Sequence, residues 1–144
     1  MTAKSFVDTN ILLYAVGEDS LGDRKGPRAR AVLQEPGIGL SAQVLQEFVA
    51  NALSKRSLRI SEDKIEGVLH VLEEFPCVPI TPSLVRSALV LRTRHQLSYW
   101  DAAILAAAQS LGCDTLFSED FNHGQLYGSV RAINPFLEPV SAAT

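Results

Sequence analysis

A short apolar strand that ends in an acid and passes directly into a helix constrains this chain more than any other feature. Phe6-Val7 closes an apolar run, and Asp8-Thr9-Asn10 interrupts it with three short polar residues, each a good helix N-cap. Ile11 to Ala15 then resumes with the apolar character of a buried helix. A join of this kind sets the Asp8 carboxylate at the C-terminal edge of a sheet, the edge where open α/β sheets bind ligands. Local pattern alone favours the plainer role for Asp8, that of a helix cap. The same pattern returns late in the chain, where Asp114-Thr115-Leu116-Phe117 reads as a strand that runs into Ser118-Glu119-Asp120.

Between these two joins the chain alternates short strands with helices. Glu18 to Arg30 reads as a loop punctuated by Gly22, Gly26 and Pro27, leading into a helix that ends near Gln34. Its basic residues Arg24, Lys25, Arg28 and Arg30 suit either a solvated loop or a strip that contacts phosphates. Gly37 to Leu40 is a second strand, and Ala42 to Arg56 a helix with Leu45, Phe48, Val49, Ala52 and Leu53 as its apolar stripe. Glu47 falls away from that stripe, between Gln43 and Asn51 along the axis, as an ordinary exposed glutamate would. Ser61 to Phe75 is another amphipathic helix, and Cys77 to Ile80 a strand whose Pro79 suggests a sheet edge. Thr81-Pro82 opens a helix in which Leu84, Val85, Ala88, Leu89 and Leu91 pack.

Ser98-Tyr99-Trp100-Asp101 has the form of a capping box. The helix it opens, Tyr99 to Leu111, is apolar almost all round and belongs in the centre of the domain. Asp101 is therefore a carboxylate at the start of an interior helix, a cap or a site residue. Val130 to Ile133 is the last strand, stopped by Asn134-Pro135. The order β-α-α-β-α-α-β-α-α-β-β describes an α/β sandwich, a mostly parallel sheet flanked by helices, in one domain over residues 1–144.

Composition narrows the class. With 47% hydrophobic and 20% charged residues the chain folds on a real core. A net charge of -3 argues against a protein that grips nucleic acid by bulk charge, while leaving room for a nuclease whose site is itself acidic. Cys77 and Cys113 stand apart with no metal-ligand spacing, as two buried thiols in a reducing compartment would. No signal pattern opens the chain, and the apolar run Ala102 to Ala108 is too short to span a bilayer. A soluble, cytoplasmic protein with no membrane partner is expected.

Four acids stand out: Asp8, Glu47, Asp101 and Asp120. Fold logic puts Asp8 and Asp120 on one sheet edge, within reach of the other two. Carboxylates crowded together repel unless a cation sits among them, and oxygen ligands of this kind suit Mg²⁺ or Mn²⁺. Such a site supports in-line hydrolysis of a phosphodiester.

These residues carry a family resemblance. Phe6 to Leu12 resembles the opening motif of PIN-domain ribonucleases, and Gln43 to Phe48 their second acidic motif. Ser98 to Ile104 resembles the third and Phe117 to Gln125 the fourth, with Ile133-Asn134-Pro135-Phe136 as the usual close. Size and motif order are similar to the VapC toxins of bacterial VapBC toxin–antitoxin pairs. The resemblance implies a PIN-like three-layer sandwich and a metal-dependent endoribonuclease acting on RNA, held inactive by a cognate antitoxin and commonly dimeric. It makes Asp8, Glu47, Asp101 and Asp120 the catalytic, metal-binding acids and Asn10 and Ser118 their polar supports. Asp120 is chosen over Glu119 for its place in the motif. Arg24, Lys25 and Arg28 are expected to add affinity for RNA. The helices around Phe48 and Leu72 are expected to carry apolar surface for a homodimer. Two other classes fit the residues less well. An aspartyl-phosphate phosphatase would use Asp8 as nucleophile, but needs an acid where Asn10 stands and a lysine that is not evident. A non-catalytic RNA- or protein-binding module on the same fold would not need the four acids.

Overall fold

The computed structural model describes residues 1–17, 24–54 and 60–137. The first unit is strand β1 (Ser5–Val7) followed by helices α1 (Thr9–Val16) and α2 (Lys25–Leu33), and the second is β2 (Ile38–Ser41) with α3 (Ala42–Ser54) and α4 (Glu62–Leu72). The third is β3 (Cys77–Val78) with α5 (Pro82–His95) and α6 (Tyr99–Ser110), after which β4 (Thr115–Phe117), β5 (Leu126–Tyr127) and β6 (Val130–Ile133) end the chain's regular structure. The sheet order is β3-β2-β1-β4-β6-β5, parallel throughout except for β5 against β6. The α/β sandwich expected from the sequence is the fold observed.

Strand order decides where a ligand can bind. The chain walks outward from β1 through β2 to β3, then returns across β1 to lay down β4 on its other side. Right-handed crossovers put α1 to α4 on one face and α5 with α6 on the other. A crevice opens where the direction of winding reverses, between the C-terminal ends of β1 and β4. Val7 is in register with Phe117, so the next residues, Asp8 and Ser118, meet at that crevice.

The core is the apolar content of the strands packed on α6. Phe6, Val7, Leu40, Leu116, Val130 and Ala132 are fully buried, and the run Ala102 to Ala108 of α6 is buried throughout. Small residues let α6 approach closely, and Gly39 of β2 extends this. A Cβ there would lie 2.6 Å from Leu111 Cδ1 and 2.7 Å from Ala3 Cβ.

Several sequence expectations are corrected. Lys25 begins a helix, and Gly26 and Pro27 lie in its first turn, where a missing N–H costs nothing; Gly22 and Arg56 lie outside the described residues. The strand β5 was not expected, because two residues carry no periodicity. Val85 and Leu89 are exposed, since α5 packs chiefly on α6 and leaves its outer face uncovered, and Leu53, near the end of α3, is exposed as well. Phe48 and Leu72 belong to the core, so the exposed apolar surface of α3 and α4 comes instead from Leu53 and Val71. Cys113 is buried and Cys77 half-buried, both as free thiols; burial pushes the Cys113 thiol up to about 11. Among the described residues no helix is long and apolar enough to cross a membrane.

Candidate active site

Asp8 is both a cap and the centre of the site. Its Oδ1 accepts from the Thr9 N–H at 2.8 Å, capping α1, and its Oδ2 accepts from the Ser118 hydroxyl at 2.8 Å. The same Ser118 oxygen accepts from the Asp120 N–H at 3.1 Å. One hydroxyl thus ties the acid after β1 to the acid after β4. The remaining pair arrives from helices. Glu47, half-buried on α3, accepts from the Thr9 hydroxyl at 3.0 Å and from Gln43 Nε2 at 2.7 Å. Gln43 also donates to the Trp100 carbonyl at 3.2 Å, which joins α3 to the first turn of α6. Ser98 caps that helix by accepting from the Asp101 N–H at 3.1 Å.

The four acids feel each other. Burial, aided by Asp120 and Glu47 and opposed by the bonds from Ser118 and Thr9, pushes the Asp8 carboxyl up to about 6. Asp101 is pushed up by burial and by Asp120 and Glu47, with Ser98 opposing. Asp120 is pushed up by burial, by Glu119 and by Glu47. The arrangement holds three carboxyls above their ordinary range in one crevice.

Among the described residues, no three carboxylate, imidazole or thiol groups are gathered to enclose an ion as the side chains stand. The donor set nonetheless fits Mg²⁺ or Mn²⁺ chemically. A small hard cation of this kind is held by one or two carboxylates and keeps several waters, so a closed cage is not required.

Glu119, next to Asp120, serves a different cluster. Its Oε1 accepts from Asn10 Nδ2 at 3.2 Å and from the Tyr14 hydroxyl at 2.5 Å, and its Oε2 pairs with the Lys25 ammonium at 2.9 Å. Burial pushes Glu119 up, but hydrogen bonds from Tyr14, Lys25 and Asn10, with the charge of Lys25, hold it below the usual glutamate range. Asn10 therefore supports Glu119 and not the four-acid cluster directly. Lys25 and Arg28 are not an open strip. Lys25 is committed to Glu119 and Tyr14, and Arg28 Nε donates to the Pro135 carbonyl at 3.0 Å. Arg24 is exposed at the head of α2. Thr9, Gln43, Tyr14 and Glu119 were missed as supports. The signal for two of them was spacing, since Gln43 lies four residues before Glu47, and Tyr14 four after Asn10, on one helix face.

A PIN domain model matches residues 5–128, and the chain belongs to the PIN domain family. Its fold is similar to that of a toxin–antitoxin complex from Klebsiella pneumoniae, at 20% identity and TM-score 0.68 over 92% of this chain and 98% of that one. It is similar to a DNA-bound VapBC from Salmonella typhimurium, at 15% identity and TM-score 0.63 over 92% and 97%. It is also similar to a sarcin-ricin-loop-cleaving VapC toxin of Mycobacterium tuberculosis, at 21% identity and TM-score 0.58 over 81% and 92%. A comparison with curated proteins finds no match.

The raised Asp8 carboxyl makes stability depend on pH. Without metal, the folded state holds this proton more tightly than the unfolded chain does. Stability contributed by the group is full below pH 3.8 and is lost as pH rises towards 6. The loss amounts to about 3 kcal/mol. Asp8→Asn keeps an acceptor for Thr9 and turns its amide to Ser118, without the charge. In urea melts with chelator, the stability of Asp8→Asn relative to the parent should therefore rise between pH 4 and 6.5. A difference that stays flat across that range would remove the desolvated carboxylate from the account.

Proposed function

We propose that this chain is a metal-dependent endoribonuclease, the VapC-type toxin of a type II toxin–antitoxin pair. Membership of the PIN domain family and a fold similar to toxins solved in toxin–antitoxin complexes support this reading. The observation that carries it is the Asp8–Ser118–Asp120 link at the switch point, with Glu47 and Asp101 electrostatically coupled to it. Asp8, Glu47, Asp101 and Asp120 would hold Mg²⁺ or Mn²⁺. The bound ion supplies an acidic water and offsets charge on the phosphodiester. The protein's own part is positioning. Ser118 and Thr9 fix the Asp8 carboxylate, Thr9 and Gln43 fix Glu47, and the head of α6 presents Asp101. The aspartyl-phosphate alternative is disfavoured by the same geometry, since both Asp8 oxygens are engaged and Asn10 stands at the acid's position.

An antitoxin partner is part of this reading, and α3 and α4 offer it an apolar groove of about 700 Å³ lined by Leu45, Val49, Leu53 and Leu69. A second copy is the other protein partner in this reading, with Val85, Leu89 and Trp100 exposed on α5 and α6.

Expression of the chain alone should arrest bacterial growth, and Asp8→Asn or Asp101→Asn should relieve the arrest. The purified parent should cut RNA to 5′-phosphate and 3′-hydroxyl ends in Mn²⁺ and not in chelator. Variants as toxic as the parent would place the chemistry elsewhere. Light scattering at micromolar concentration should report a dimer, and a monomer would remove that part of the proposal.

A further inference from the structure

Asp120 is the least anchored of the four acids. It is exposed, and among the described residues its carboxylate has no hydrogen-bond partner. Where it points is therefore set by the backbone on either side. On the C-terminal side Phe121 is buried, edge-on to Tyr127 at 5.3 Å. On the N-terminal side stand Ser118, bonded to Asp8, and then Glu119.

Glu119 is held more firmly than a loop residue needs to be. Three donors converge on its carboxylate: Asn10 and Tyr14 from α1, and Lys25 from α2. Lys25 is itself aimed. Its ammonium lies 4.8 Å from the Tyr14 ring centre and 5.4 Å from that of Phe136, and those rings meet edge-on at 5.1 Å. The bond from Arg28 to Pro135 pins α2 to the segment that carries Phe136. Both helices and the segment after β6 are thus locked to one side chain beside Asp120. The Lys25 ammonium partly balances the Glu119 charge, which still acts on Asp120 beside it.

We propose that Glu119 is a positioning residue, clamped by Lys25, Tyr14 and Asn10 so that the loop after β4 holds Asp120 towards the acid cluster. Lys25 then acts in the clamp and not as a phosphate contact. The proposal rests on the ribonuclease reading and deepens it, because it assigns the fifth acid and its lysine to geometry and not to the ligand set.

A double-mutant cycle tests it, since effects that pass through one residue are not additive. Two quantities are measured on the purified chain in Mn²⁺: the cleavage rate at saturating total bacterial RNA, and the RNA concentration giving half that rate. Mn²⁺ affinity is measured in parallel by electron paramagnetic resonance. Glu119→Ala should lower the saturating rate and Mn²⁺ affinity by roughly 10-fold to 100-fold, the range for residues that orient a metal's ligands. The half-saturating RNA concentration should not move. Glu119→Gln keeps an acceptor for Tyr14 and Lys25 and should recover part of the loss, and Lys25→Met should follow Glu119→Ala. In an Asp120→Asn background, Glu119→Ala should cost less than about twofold further.

Thermal melts confirm that each variant is folded, and if Glu119→Ala is not, Glu119→Gln and Lys25→Met complete the cycle. Losses that multiply with Asp120→Asn would make Glu119 an independent site acid and overturn the proposal. So would a Lys25→Met variant that shifts only the half-saturating RNA concentration. A parent that binds Mn²⁺ but cleaves no RNA would sink the ribonuclease reading alone, with the Mn²⁺ affinities still deciding the coupling. A parent that does neither would sink both.

Discussion

The Ser118 hydroxyl, donating to Asp8 and accepting from the Asp120 N–H, is the contact on which the site depends. It exists because β1 and β4 are parallel neighbours in register, so the residues just past their ends face each other. Those two strands are neighbours only because the chain reverses its winding between β3 and β4. The sheet topology thus delivers two acids to one crevice before any helix contributes. Asp8 carries the cost. Its burial opposes ionisation, the bonds from Ser118 and Thr9 restore only part of what water would provide, and its carboxyl ends near 6. A site of this kind gives up stability to hold charge in a crevice shielded from water.

The helices complete the cluster by different means. Glu47 comes from the second turn of α3, steadied from its own helix by Gln43 and from across the crevice by Thr9. Asp101 comes from the head of α6, whose apolar circumference fixes it against the sheet and leaves only its first turn at the rim. Gln43 spans both groups through the Trp100 carbonyl. A second polar layer, Asn10, Tyr14, Lys25 and Glu119, lies beside the first and shares α1 and the loop after β4 with it.

How far the sequence carried depended on whether a residue's role was set locally. The meeting of Asp8 with the Ser118–Asp120 loop at one sheet edge was legible because an apolar strand ending in an acid is a local pattern, and α6 because it is apolar almost all round, whereas the choice of Asp120 over Glu119 came from the family motif. Ser98 and Thr81 were legible as caps for the same reason, and each accepts the N–H three residues on. Glu47 was not legible from periodicity, which placed it in solvent; only its resemblance to a family motif brought it in, and its hydrogen-bond partner Thr9 is 38 residues away. Lys25 looked like surface charge because its partner Glu119 is 94 residues distant. Leu53, Val85 and Leu89 fit an apolar stripe and yet are exposed, because a stripe says which side is apolar and not whether anything covers it.

The central claim is that Asp8 anchors a cation site, and proton release on metal binding tests it most directly. A metal must displace the proton from a carboxyl held near 6. Mn²⁺ is titrated calorimetrically into the purified chain at pH 6 and pH 8, in buffers of different ionisation enthalpy. The account predicts binding that releases a fraction of a proton at pH 6, almost none at pH 8, and greatly weakened binding by Asp8→Asn at both. A parent that takes up no Mn²⁺, or an Asp8→Asn variant that binds as the parent does, would contradict it.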